Sequence, residues 1–169
     1  AHSIIGFDLL DGGRELRDRG GVDMEPADIA NWLLDGVIAK VADALPWRPG
    51  APELLAECLS ADLPCALVTM SWRRLADTVI ATAPPGSFAA SITGDEVSNG
   101  KPDPEPYLAA AIALGVEPSA CVAIEDSVHG MEAALAAGLC TVVTPSQYTV
   151  GDDFTGAHWV LEDLADEDL

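Results

Sequence analysis

From residue 51 onward, short uninterrupted apolar runs alternate with segments of helical period, and this alternation constrains the fold more than any other feature. It predicts helices over 53–61, 72–83, 105–114 and 128–137. Strands are expected over 65–68, 88–92, 121–124 and 139–143, with 158–161 as an edge strand. Pro84-Pro85-Gly86, Gly115 and Gly138 supply the helix stops. A strand that is apolar throughout is buried on both faces, so the pattern implies an α/β fold with a parallel sheet flanked by helices. Ligands of such sheets sit beyond the carboxyl ends of the strands.

The first 45 residues read differently. A helix over 9–19 is expected to stop at Gly20-Gly21, and a second begins near Pro26, with Asp23 placed to cap it. Ile29, Leu33, Val37, Val41 and Leu45 recur every four positions and define its apolar face. Two prolines and a glycine in Pro46-Trp47-Arg48-Pro49-Gly50 cannot continue a helix and mark a hinge. The chain thus divides into a helical part, 1–46, and an α/β part, 47–169.

A chain of 169 residues, 49% apolar, can bury a core of its own. No apolar run is long enough to cross a bilayer, and no basic stretch precedes an apolar one as in a secretory signal. Cys58, Cys65, Cys121 and Cys140 are scattered, with no C-x-x-C pair; reduced, buried thiols in a cytoplasmic protein are expected. A formal charge of −20 excludes nucleic acid and anionic membrane as partners. It also opposes a phosphorylated ligand, unless a divalent cation and a lysine invert the field locally.

Three strand ends carry groups suited to that inversion. Thr69-Met70-Ser71 follows the strand at 65–68 directly ahead of a helix, where a hydroxyl and free N–H groups either cradle a phosphate or merely cap the helix. Lys101, one of two lysines, is held between Gly100 and Pro102 in the loop ahead of helix 105–114. Glu125-Asp126-Ser127 closes the strand at 121–124. Adjacent carboxylates there need a compensating cation, and oxygen ligands of this kind suit Mg²⁺, although Asp126 or Ser127 could simply cap the next helix. A hydroxyl, a lysine and an acidic pair at successive strand ends make up phosphoryl-transfer equipment.

These segments carry a family resemblance. Gly100-Lys101-Pro102-Asp103-Pro104-Glu105-Pro106-Tyr107 resembles the third motif of haloacid-dehalogenase-superfamily hydrolases. Ala123-Ile124-Glu125-Asp126-Ser127, with Gly130 and Ala136-Ala137-Gly138, resembles the fourth, and Leu67-Val68-Thr69-Met70-Ser71 the second. Trp47-Arg48-Pro49-Gly50-Ala51 is similar to the return from a helical cap into the core. The resemblance implies a Rossmann-like core with a helical cap, as in beta-phosphoglucomutase-like phosphatases; residues 1–46 would be part of that cap. It further implies that Thr69 and Lys101 bind the transferring phosphoryl group, with Met70 and Ser71 beside it. Asp126 would coordinate Mg²⁺, with Glu125 assisting directly or through water. The substrate expected is a small phosphorylated metabolite.

One departure stands out. The family's first motif, D-x-D-G-T, supplies the aspartate that forms an aspartyl-phosphate and the acid–base carboxylate, and it does not occur here. In Phe7-Asp8-Leu9-Leu10-Asp11-Gly12-Gly13 the two aspartates stand three apart instead of two, and Gly13 replaces the threonine. The expectation is therefore a core, 47–169, without its first strand, whose activity belongs to a full-length parent. Three other functions compete: a non-catalytic phosphate- or metal-binding module, a sugar phosphomutase, and a metal-free haloacid dehalogenase. The Glu125-Asp126 pair argues against the last. His2, His129 and His158 are expected at the surface or in caps, Trp32, Trp47, Trp72 and Trp159 in packing or the hinge, and Arg73 and Arg74 on a solvated helix face.

Overall fold

A computed structural model describes residues 9–165; His2 and Asp8 lie outside the described residues. Helix α1 (Leu9–Asp18) ends ahead of Gly20-Gly21, where Gly21 takes φ 69°. Helix α2 (Pro26–Asp43) starts with proline in its first turn; Glu25, not Asp23, occupies the N-cap position, and its side chain makes no capping bond. The two helices touch where Gly13 is buried; a Cβ there would collide with the carbonyl of Pro26. The buried face of α2 is Ile29, Ala30 and Leu34, whereas Val37 is exposed. The expected stripe at every fourth residue is thus corrected. Four residues overshoot one 3.6-residue turn, so the stripe drifts around the helix and carries Leu33 and Val37 to the rim of a cavity.

The α/β part alternates as expected: α3 (Ala51–Ser60), β1 (Ala66–Val68), α4 (Arg73–Thr82), β2 (Ala90–Ile92), α5 (Glu105–Leu114), β3 (Val122–Glu125), α6 (Val128–Ala136), β4 (Cys140–Val143) and β5 (Trp159–Val160). A 3-10 turn over Pro118–Ala120 leads into β3. Helix α3 starts two residues before the expected 53, because Pro52 is tolerated in a first turn and Gly50 supplies the left-handed cap at φ 78°.

Among the described residues all strand pairs are parallel, and they form two sheets instead of one. β1 pairs with β2, with Leu67 opposite Ser91, and β3, β4 and β5 form the second sheet, with Ile124 opposite Val142. β1 and β3 each keep an unpaired edge among the described residues, and Val122 and Ile124 of β3 are exposed. Helix α5 packs on β1, β2 and α6 and so joins the two sheets. The core between α5, α6 and β3 is Tyr107, Ala123, Ala133, Ala134, Ala137 and Leu139, where small side chains let α6 approach the sheet closely. A second cluster, Met131, Val143 and Phe154, lies beyond it.

The four cysteines are free and half-buried. Trp32 is exposed, which corrects the expectation of a packing role; Trp47 and Trp72 border the cavity. Arg73 is tied to Glu96, Ser91 and Asp77, and Arg74 to Asp35, so neither faces the cavity.

Candidate functional site

The carboxyl ends of β1 and β3 open into a cavity of about 1070 Å³, walled on the other side by Leu33, Leu34 and Val37 of α2 and by hinge residues Trp47 and Arg48. Thr69, Met70, Ser71, Lys101, Glu125 and Asp126 all border it. Six residues spread over 58 positions of sequence therefore meet in one place.

The loop after β1 is held from both sides. Thr69 N–H bonds the carbonyl of Ile92, and Gly94 N–H that of Ser71; a Cβ on Gly94 would collide with Met70 O. Thr69 Oγ1 accepts Ser71 N–H at 3.1 Å, which leaves its own proton to donate. The Met70 sulfur accepts Lys101 N–H at 3.2 Å, so the side chain of Met70 supports the lysine loop from beneath. The helix start is less open than the sequence suggests, because Arg73 N–H is already taken by Asp95 Oδ1 at 2.9 Å.

Lys101 bridges the two sheets. Its ammonium donates to Val68 O at 3.0 Å and pairs with Glu125; Tyr107 Oη lies 3.4 Å away, with the ring centroid at 4.9 Å. Tyr107 also donates to Glu125. Burial first, and then the charge of Glu125, push the phenol far above its ordinary value, so it stays a donor. The pair is dry, with side-chain exposures of 10% for Lys101 and 6% for Glu125. Gly130 makes room for it: a Cβ there would overlap the Glu125 carboxylate.

Asp126 points into the cavity. Burial of its carboxyl, then repulsion from Glu125, raise its pKa, and Lys101 only partly opposes them. A carboxylate left in that state is stabilised by a nearby cation, and its oxygen chemistry fits Mg²⁺, which takes one or two protein carboxylates and retains water. Among the described residues no cluster of three or more His, Cys, Asp or Glu side chains forms. Ser127 caps α6, accepting Gly130 N–H at 3.1 Å.

Asp11 is elsewhere. It lies exposed in the first turn of α1, paired with Arg14, and does not border the cavity. His129 does border it, while His158 Nδ1 accepts Thr141 N–H at 3.1 Å and is structural. Sequence reasoning missed Tyr107, Arg48 and Thr149. Arg48 Nη2 donates to Pro145 O and Glu162 O, both at 3.0 Å, and so fastens the hinge to the core. Thr149 Oγ1 donates to Asp126 O at 2.6 Å. A signal for Thr149 existed: Ser146 and Thr149 follow β4, a fourth strand end to which the same rule applies.

The family model of haloacid dehalogenase-like hydrolases matches residues 8–138. The chain belongs to that family. Protein CbbY of Rhodobacter capsulatus is 44% identical over 121 residues, 69% of this chain and 53% of the relative. Hexitol phosphatase B of Escherichia coli strain K12 is 32% identical over 126 residues, 74% of this chain and 57% of the relative. The crystal structure of CbbY from Rhodobacter sphaeroides in complex with phosphate superposes with a TM-score of 0.80 at 31% identity, over 86% of this chain and 67% of that one. This chain spans about half the length of the first curated relatives that it matches. Membership gives it the family's Rossmann-like core. No helix among the described residues is long and apolar enough to cross a membrane.

Proposed function

We propose that this chain forms the phosphate- and Mg²⁺-binding part of a phosphomonoesterase that works through an aspartyl-phosphate in its full-length parent. We further propose that the chain alone does not turn over. The observation that carries the reading is the meeting of Thr69, Lys101 and Asp126 at one cavity. Residues 1–46 are read as part of the cap and 47–169 as a core without the family's first strand, a reading supported by the edges of β1 and β3 that are unpaired among the described residues. A small phosphorylated sugar or sugar alcohol is the substrate class, as the name of hexitol phosphatase B suggests. The cytoplasm is the proposed location, in keeping with four free thiols.

In this mechanism the Thr69 hydroxyl and the N–H groups of Met70 and Ser71 bind phosphoryl oxygens. Lys101 gives charge by exchanging one of its present bonds, and Glu125 keeps it aimed. Asp126 would hold Mg²⁺, with Glu125 behind it. When bound, the ion supplies Lewis-acid charge to the phosphoryl group. Leu33, Leu34 and Val37 of the helical part exclude water from the cavity.

Hydrolysis of an aryl phosphate with Mg²⁺ tests this. A parent carrying D-x-D-G-T releases phenol, Lys101→Ala lowers that rate at least about 100-fold, and residues 1–169 alone release none. Unchanged turnover in the Lys101→Ala parent defeats the assignment. The missing D-x-D-G-T favours a second reading, a binding module without catalysis; it predicts phosphate and Mg²⁺ binding with no turnover in any form of the protein.

A further inference from the structure

The turn after β4 reaches back to the acidic end of β3. Thr144 N–H bonds Glu125 O at 2.7 Å, which is the last ladder-type bond between the two segments. One residue later the ladder has ended, and the Asp126 carbonyl is held by a side chain instead. Thr149 Oγ1–H donates to it at 2.6 Å.

That hydroxyl is held from both sides. Its single proton goes to Asp126 O at 2.6 Å in preference to Ser146 O at 3.5 Å, and its oxygen accepts Ser146 N–H at 2.9 Å. The Ser146 hydroxyl lies 3.1 Å away and, with the Thr149 proton spent, acts as donor. Thr149 and Val150 N–H both return to Ser146 O, at 3.0 and 2.8 Å, so the turn carrying the hydroxyl is closed on itself. Thr149 is 7% exposed, so water competes poorly for these bonds.

The consequence falls on the neighbouring carboxylate. The Asp126 peptide lies between the end of β3 and the cap of α6, where no regular ladder sets its torsion. The Asp126 carbonyl and side chain branch from one Cα, so a bond that fixes the carbonyl restricts the backbone torsions beside the carboxylate. We propose that Thr149 is a positioning residue. By fixing the Asp126 carbonyl it aims the Asp126 carboxylate into the cavity for a divalent cation. This rests on the reading of Asp126 as a Mg²⁺ ligand.

The test is Mn²⁺ binding to residues 1–169, followed through the electron paramagnetic resonance of free Mn²⁺ and reversed with Mg²⁺. Thr149→Val keeps the shape and removes the hydroxyl; it is expected to weaken Mn²⁺ binding about tenfold, as loss of an outer-shell partner does. Thr149→Ser restores the wild-type affinity, which a role in packing alone does not predict. Should the valine variant fail to fold by circular dichroism, Thr149→Ala is read in its place against the same serine control. Wild-type affinity in Thr149→Val, or a serine variant as weak as the valine one, overturns the inference. Asp126→Asn separates the two levels. If it loses Mn²⁺ while Thr149→Val keeps it, only the positioning role falls. If Asp126→Asn binds as wild type does, or the wild-type chain binds none, the metal reading falls and takes this inference with it.

Discussion

The helix pair at 9–43 and the α/β part after the hinge are held together by different means. In α1 and α2 the polar contacts are exposed: Arg14–Asp11, Arg19–Glu15 and Arg17–Glu25, with Arg74–Asp35 reaching across from α4. Around β3 and α6 the polar contacts are buried or half-buried, and each supports another: Lys101, Glu125 and Tyr107 form one cluster, and Thr149, Ser146 and Asp126 a second. Exposed pairs contribute little and can be exchanged as surfaces slide. Buried ones are costly to break singly. The difference separates a part held by mutually supporting inner contacts from a part held by exposed pairs; on the proposed reading, the first stays still around a ligand and the second moves over it.

The largest effect expected from this contrast is at Lys101. Lys101→Ala leaves Glu125 buried without its counter-charge and should lower stability by about 3–5 kcal/mol in urea denaturation. A loss below about 1 kcal/mol would put the buried pair in the same class as the exposed ones. Gly130→Ala comes next. The added methyl meets the Glu125 carboxylate, so a loss of about 1–3 kcal/mol is expected although alanine favours helix.

Asp126→Asn should act in the opposite direction. The folded protein holds the Asp126 proton more tightly than the unfolded chain does, since burial and Glu125 raise its pKa. Stability therefore falls as pH rises from the ordinary aspartate value, about 3.9, through the folded one, and stays lower above it. In EDTA at pH 7 the asparagine variant should melt slightly higher than wild type, by little because Asp126 is itself partly exposed to solvent, and at pH 3 the gain should vanish. An equal gain at both values would remove ionisation as the cause. Arg74→Ala is the smallest: the pair it breaks is more than half exposed on both sides, so a change within about 0.5 kcal/mol is expected, fading further in salt.

Much of this arrangement was legible in the residues. The order of helices and strands after residue 51 followed from apolar runs and glycine stops, and α5 spans the residues expected, since Pro104 and Gly115 bound it chemically. Strand ends were not legible. The run at 88–92 is apolar or small throughout, yet only Ala90–Ile92 forms a strand, because pairing with a three-residue β1 sets its length. Division into two sheets was equally hidden, as it depends on which edges meet. Thr69, Lys101 and Asp126 could be picked out because each follows a strand. Tyr107 acts through a partner 18 residues away, and no local pattern carries such a distance; Thr149, 23 residues from its partner, was marked only by its place after a strand.

The most direct measurement is a ¹H–¹⁵N correlation spectrum of residues 1–169, titrated with inorganic phosphate in the presence and absence of Mg²⁺. If one anion and one cation are shared at the ends of β1 and β3, the amides of Thr69, Met70, Ser71, Lys101 and Asp126 shift together, and the response strengthens when Mg²⁺ is added. Shifts that gather on α1 or the outer face of α2 while those five amides stay still would contradict the account.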